Sequence, residues 1–286
     1  MTLKGVRRYT PIQPTIQVEV MAKDGCPLNI RVFKEVKAKD VPPILFVHAL
    51  ALDGDMWQGV AKAIESMGSS FAGGIYALDC RGHGKSGATS AEFSTKQFAE
   101  DLLSILEKID VSSAHIVGCS MGGTVALSFA GHFPAQTASV TVVDASIWYG
   151  LDAPANWEKR AQTALKEGMG ALIEFQRPRW FSPRFIEEQT LFVADALNIF
   201  TANSISNYVK SCQMLGRADE REIIKNYLGP AMVIVGEDDY ATPLSMAEDI
   251  AARIPNAKLR VIPETRHFTP LEAPELVAKC MLEIVC

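Results

Sequence analysis

The chain has 286 residues, enough for one large domain with room for an insertion. Its 48% hydrophobic and 21% charged residues are ordinary for a globular protein and exclude a disordered or fibrous chain. A formal net charge of -5 argues against nucleic-acid binding, and no apolar run reaches the roughly 18 residues of a membrane span.

The N-terminal stretch Met1–Arg8 is polar and basic and leads into Pro11 and Pro14 rather than an apolar signal core, so a cytoplasmic location is expected. Two strand-like runs follow, Thr15–Met21 and Leu28–Val36, with a turn at Asp24-Gly25. Pro43–His48 is a continuous apolar run of the kind buried on both faces of a sheet. Helical periodicity over Met56–Met67, a strand at Ile75–Leu78, a helix over Thr95–Ile109 and a buried strand at Ala114–Cys119 come next. A helix from Gly122 to Phe133 and a strand at Ala138–Val143 continue the alternation, which predicts βαβ crossovers and a mostly parallel sheet flanked by helices. From Trp148 to Leu228 the chain reads instead as helices and loops rich in aromatics. Alternation resumes with strands at Ala231–Val235 and Lys258–Ile262 and helices from Leu244 and Ala273. The expected organisation is therefore a core of 1–147 and 229–286 with a helical cap inserted at 148–228.

The sharpest chemical signal is Gly118-Cys119-Ser120-Met121-Gly122, a G-x-S-x-G sequence between a buried strand and a helix. Small neighbours let a serine occupy a strained turn above the sheet edge, where a helix N-terminus favours developing negative charge. Cys119 occupies the variable position and is read as packing. A hydroxyl is a weak nucleophile and needs a base, for which His267 is placed after the last strand. The loop Gly236–Pro243 offers three carboxylates, Glu237, Asp238 and Asp239, to orient that imidazole. An oxyanion hole is expected from the backbone N–H groups of Met121 and Leu50. The segment Gly82–Gly87 matches GxGxxG but starts no amphipathic helix, and is read as a structural loop. Six cysteines without a CxxC pair and five histidines without HExxH spacing point to free thiols in a reducing compartment, with no metal.

On these residues the chain resembles the α/β-hydrolase fold family from about Pro43 to the C-terminus. The resemblance is carried by His48…Trp57, by Asp79-Cys80-Arg81-Gly82-His83-Gly84-Lys85-Ser86, by the serine turn, by the G-x-x-D-x-x-x-P acid loop, and by the terminal His267 with Leu271-Glu272-Ala273-Pro274. It implies an eight-stranded, mostly parallel sheet with an inserted cap, and it selects Asp239, with Asp144 as the rival acid. Two positions depart from the family pattern: Ala49 stands where glycine is usual after His48, and Arg266 where glycine usually precedes His267. Short stretches, Ala252–Ala257 and Trp180–Phe185, are similar to the 3-oxoadipate enol-lactonase type.

The expected activity is hydrolysis of a carboxylic ester or lactone of a small, acidic molecule through an acyl-serine, with Ser120, Asp239 and His267 as the triad and no cofactor. The same site could cleave a carbon–carbon bond in a ring-fission product or run cofactor-free perhydrolysis. A non-enzymatic receptor descended from the fold would have lost the serine or the histidine. Trp148, Arg177 and Trp180 are the expected substrate contacts, and the cap arginines Arg177, Arg179 and Arg184 read either as a source of one partner for a substrate carboxylate or as a solvated basic face. The partner is thus a small molecule, not nucleic acid or membrane. The sequence leaves homo-oligomer against monomer open.

Overall fold

A computed structural model describes residues 16–35, 40–67 and 71–285. Met1–Arg8, Pro11, Pro14, Thr15, Val36 and Cys286 lie outside the described residues. In chain order the strands are β1 (Ile16–Met21), β2 (Pro27–Lys34), β3 (Ile44–Val47), β4 (Ile75–Asp79), β5 (Ala114–Cys119), β6 (Thr137–Val143), β7 (Ala231–Gly236) and β8 (Lys258–Ile262). They form one eight-stranded sheet in the order β1-β2-β4-β3-β5-β6-β7-β8. β2 is antiparallel to both neighbours, and every pairing from β4 through β8 is parallel.

Burial explains the order. The apolar runs of β3, β5 and β7 are buried at every residue, as strands covered on both faces must be. The edge strands β1 and β8 keep exposed positions. Helices α1 (Gln58–Ser66), α2 (Thr95–Ile109) and α3 (Met121–His132) connect the first parallel strands. Between β6 and β7 the chain runs through α4 (Ala153–Glu167), α5 (Ile173–Trp180), α6 (Pro183–Glu188), α7 (Thr190–Thr201) and α8 (Ile205–Arg217), with α4 packed along α8. The last helices are α9 (Leu244–Arg253), the short α10 (Thr269–Glu272) and α11 (Pro274–Val285), and α11 packs on α1. No helix among the described residues is long and apolar enough to cross a membrane.

Parallel strands share a C-terminal edge, so whatever follows β3, β4, β5, β6, β7 and β8 gathers there. Asp79, fully buried at the end of β4, ties that edge together. Its carboxylate accepts hydrogen bonds from the N–H groups of Gly54 (2.8 Å) and Lys85 (3.0 Å) and from the side chains of Asn29 (2.8 Å) and Arg31 (2.9 Å). The Gly82–Gly87 loop therefore wraps a structural carboxylate.

Candidate active site

β5 ends at Cys119 and α3 begins at Met121, which leaves Ser120 alone to make the turn. It does so at φ 54° and ψ -117°, a strained conformation of the kind that costs about 1–3 kcal/mol. The flanking residues have no room for a side chain: a Cβ on Gly118 would fall 2.0 Å from the Gly122 carbonyl oxygen, and one on Gly122 2.2 Å from that of Val47. Cys119 is fully buried, and burial pushes its thiol pKa well up, so it packs rather than reacts.

Three side chains from three strand ends meet in a line. Ser120 Oγ lies 2.9 Å from His267 Nε2, and His267 Nδ1 lies 2.9 Å from Asp239 Oδ2. Asp239 is 4% exposed, and its other acceptor sites are filled. Oδ1 accepts the N–H of Ala241 (2.7 Å) and of Thr242 (3.1 Å), while Oδ2 also accepts the Thr242 hydroxyl (2.7 Å). Burial alone would raise this carboxyl, but the neighbouring His267 and the Thr242 donors outweigh it and hold the group below its usual pKa. Asp144 does not reach His267. It is fully buried, with Oδ1 accepting from Gly236 N–H (2.9 Å) and the Thr269 hydroxyl (3.1 Å) and Oδ2 from Thr269 N–H (2.9 Å). It thus fastens the β7 and His267 loops to the end of β6. Burial and the Asp239 charge push its carboxyl well above the ordinary range.

Above Ser120 two backbone donors are unclaimed among the described residues. Met121 is the first residue of α3, where an N–H has no partner within the helix. Leu50 sits on a turn closed by Leu52 N–H donating to Ala49 C=O, and its own N–H joins no loop hydrogen bond. His48 aims it. Buried and held near a pKa of about 4 by that burial, the His48 ring is neutral. Its Nε2 accepts the Cys80 N–H (2.8 Å), so the proton is on Nδ1, which donates to Ala49 C=O (2.7 Å). Because a trans peptide points its N–H opposite its C=O, fixing the Ala49 carbonyl turns the Leu50 N–H the other way. The backbone strain in this loop falls on Ala51 (φ 59°), not on Ala49, so alanine in place of the usual glycine is tolerated.

Ser120, Leu50 and His267 open on a cavity of about 170 Å³. Trp180 lines it, as do Tyr149, Trp157, Arg160, Gln176 and Arg179; Trp148 and Arg177 do not. Trp148 instead makes a β-bridge with Asp219, and the Arg221 guanidinium covers its ring at 3.8 Å. Arg177 projects to solvent from the far side of α5, since Gln176, Arg179 and Trp180 share the inward stripe at i, i+3 and i+4. Arg184 is also outside, in an exposed ion pair with Glu264 (2.7 Å). Arg266, at the second departure from the family pattern, donates to the carbonyls of Pro178 and Phe181 and stacks on Tyr240. Arg160 and Arg179 form no ion pair among the described residues and are held by ring faces, Arg160 over Trp157 (4.3 Å) and Arg179 over Phe175 (4.8 Å). Burial, and then the Arg160 charge beside it, pull the Arg179 guanidinium below its ordinary pKa. Sequence reading missed Arg160 and Gln176. The signal was a polar residue breaking into the inward face, at Ala153, Asn156, Trp157 and Arg160 of α4. A second, larger cavity of about 290 Å³ lies between α1, α7 and α10 and contains none of the aligned residues.

A strand–serine–helix turn, a histidine bridged to a buried aspartate and two free N–H donors at one edge of a mostly parallel sheet define a hydrolase of the α/β-hydrolase fold, and the chain belongs to that family, whose model matches residues 42–274. It is 28% identical over 239 residues to 3-oxoadipate enol-lactonase 1 of Acinetobacter baylyi, covering 83% of this chain and 86% of the relative. It is 29% identical over 236 residues to a non-heme chloroperoxidase of Kitasatospora aureofaciens, covering 79% and 84%. Among solved structures, the enol-lactonase from Burkholderia xenovorans LB400 superposes with a TM-score of 0.86 at 24% identity, over 94% of this chain and 99% of that one.

Proposed function

We propose that the protein hydrolyses a carboxylic ester or lactone of a small acidic molecule through an acyl-serine intermediate. The observation that carries this reading is the unbroken Ser120–His267–Asp239 line beneath two unclaimed N–H groups. Asp239 accepts a hydrogen bond from Nδ1–H of His267, which leaves the Nε2 lone pair free to take the Ser120 proton as Oγ attacks the substrate carbonyl. The N–H groups of Leu50 and Met121 hold the resulting oxyanion. His267 then passes the proton to the leaving oxygen, which in a lactone stays tethered to the acyl group. Water, deprotonated by the same imidazole, attacks the ester carbon; the C–Oγ bond breaks and the proton returns to Ser120. No step needs a cofactor. The five buried, unpaired thiols among the described residues suit a reducing, cytoplasmic setting.

The acidic character of the substrate is read from Arg160 and Arg179. Two guanidiniums converge on one small cavity without a carboxylate between them, and an incoming anion relieves that repulsion. Similarity to enol-lactonases supports a lactone. The test pairs Ser120→Ala with burst kinetics on small anionic lactones and matched open-chain esters. We expect the alanine variant to lose at least about 10⁴-fold in kcat, and the wild type to release alcohol from esters ahead of acid. Near-native turnover by Ser120→Ala would overturn the reading.

A further inference from the structure

The mechanism above leaves Glu272 unused, although it belongs to the Leu271-Glu272-Ala273-Pro274 segment that helps to mark the family resemblance. It closes α10, and its half-buried carboxylate reaches two elements at once. Oε1 accepts the N–H of Ser182 (3.0 Å) and the N–H of Arg266 (3.0 Å), and Oε2 accepts the Ser182 hydroxyl. Ser182 is 4% exposed and caps α6, its Oγ accepting the Phe185 N–H at 3.2 Å. Arg266 directly precedes His267, and its guanidinium donates to the Pro178 and Phe181 carbonyls. Phe268, directly after His267, donates its N–H to Trp180 C=O (3.0 Å). Both chain neighbours of the histidine are therefore fastened to residues 178–182, the stretch that adjoins the Arg179–Trp180 wall of the cavity. Beside these direct links, the Glu272 carboxylate accepts from both sides of the seam, from Ser182 and from Arg266.

We propose that Glu272 is a positioning residue: its carboxylate seats the inserted helices against the His267 loop and so places the imidazole between Ser120 and Asp239. The proposal rests on the acyl-serine reading. Removing the carboxylate frees three donors at a half-buried seam and lets the histidine loop drift relative to Ser120. A glutamine can keep both backbone N–H groups on its carbonyl and turn its NH₂ toward Ser182 Oγ, which accepts as well as donates. An alanine can do neither.

The test measures kcat and KM on a neutral activated ester for Glu272→Ala, Glu272→Gln, Ser182→Ala and the Ser182→Ala/Glu272→Ala double variant. Misplacing a base by about 1 Å costs about 10²-fold, so Glu272→Ala is expected to lose about 10- to 100-fold in kcat with KM changed less than about threefold. Glu272→Gln should stay within about threefold of wild type, and the double variant should be no slower than Glu272→Ala alone, because both changes cut the same link. A kcat within about twofold of wild type for Glu272→Ala, an effect confined to KM, or a glutamine variant as slow as the alanine one would overturn the role. If Glu272→Ala does not fold, Ser182→Ala carries the test: it should lower kcat several-fold, and an unchanged kcat overturns the role. Ser120→Ala separates the two levels. If it is inactive while Glu272→Ala is unimpaired, only the positioning role fails; if it stays active, the acyl-serine reading fails.

Discussion

Asp239→Asn is the substitution that separates orientation of the histidine from simple packing. Asparagine has almost the same shape, and its carbonyl can take over the two backbone donors now on Oδ1, Ala241 at 2.7 Å and Thr242 at 3.1 Å. Its NH₂ then faces His267 Nδ1, where Oδ2 accepted at 2.9 Å. Facing a donor, Nδ1 must become the acceptor, which moves the ring proton to Nε2 and leaves no lone pair toward Ser120 Oγ. A base in the wrong tautomer is worth about 10⁴-fold in kcat, or roughly 5 kcal/mol at 1.36 kcal/mol per decade. The assay is steady-state release of p-nitrophenol from a neutral ester, alongside Asp144→Asn. Asp144 serves three donors that an amide cannot all satisfy, so its variant should lose about 1–3 kcal/mol of stability and far less turnover per folded molecule. A loss under about tenfold for Asp239→Asn, or an equal loss in kcat for Asp144→Asn, would refute the assignment of the acid.

Arg160→Ala and Arg179→Ala should each lower kcat/KM for anionic lactones by about 10- to 100-fold, the worth of one charge-assisted hydrogen bond, with at least a tenfold smaller loss on neutral esters; equal losses on both would remove the anion-binding role. His48→Ala frees the Ala49–Leu50 peptide to rotate and should cost about 10²-fold in kcat, as loss of one oxyanion donor does, with KM nearly unchanged; an unaltered kcat would show that Leu50 is held without it. His115 has Ser139 Oγ at 2.8 Å from Nδ1, and burial lowers its pKa from 6.5 to about 4. The unfolded chain therefore binds a proton in that window that the native chain does not, and stability present above pH 6.5 is lost as the pH falls toward 4. Urea titrations of His115→Gln should show that decline reduced by up to roughly 3 kcal/mol, and an unchanged pH slope would contradict it.

How much of this was legible depended on whether a feature is set by local sequence or by the packing of distant elements. The strands were readable because β3, β5 and β7 are short apolar runs, interrupted only by His115, and buried at every position, as covering on both faces requires. Ser120 was readable for a related reason: without glycines at 118 and 122 the turn would collide with its own backbone and with that of Val47 at the end of β3. The acid was not readable from composition, because Glu237, Asp238 and Asp239 are adjacent and only the fold decides which one faces His267. Glu237 turns toward the backbone N–H of Glu264 (3.2 Å) and Asp239 toward the imidazole, and the spacing of the family's acid loop supplied that choice in advance. The roles of His48 and Glu272 were invisible because each depends on a partner far along the chain, Cys80 for one and Ser182 for the other.

The helices between β6 and β7 show the limit most clearly. Arg177 and Arg179 are two residues apart, so on a helix they point roughly 200° from each other, and only one can face the cavity. Counting arginines in the stretch could not settle which one, since α5 is short and carries Pro178 within it, leaving no long apolar stripe to set its phase. What sets the phase is tertiary: Trp180 stacks on Phe268 at 4.9 Å and packs edge-on against Phe200 at 5.0 Å, which locks its face inward. Gln176 and Arg179 lie four and one residues before Trp180 and must follow it. The aromatic that follows His267 therefore sets which charges face the cavity, and on the proposed reading a change at Phe268 should alter the choice between anionic and neutral substrates even though it carries no charge. Phe268→Leu is expected to narrow the preference for anionic over neutral esters by about 3- to 10-fold, because the loosened stack lets Arg179 swing from the cavity. An unchanged ratio in steady-state competition between the two esters would show that Arg179 is held by Phe175 and Tyr240 alone.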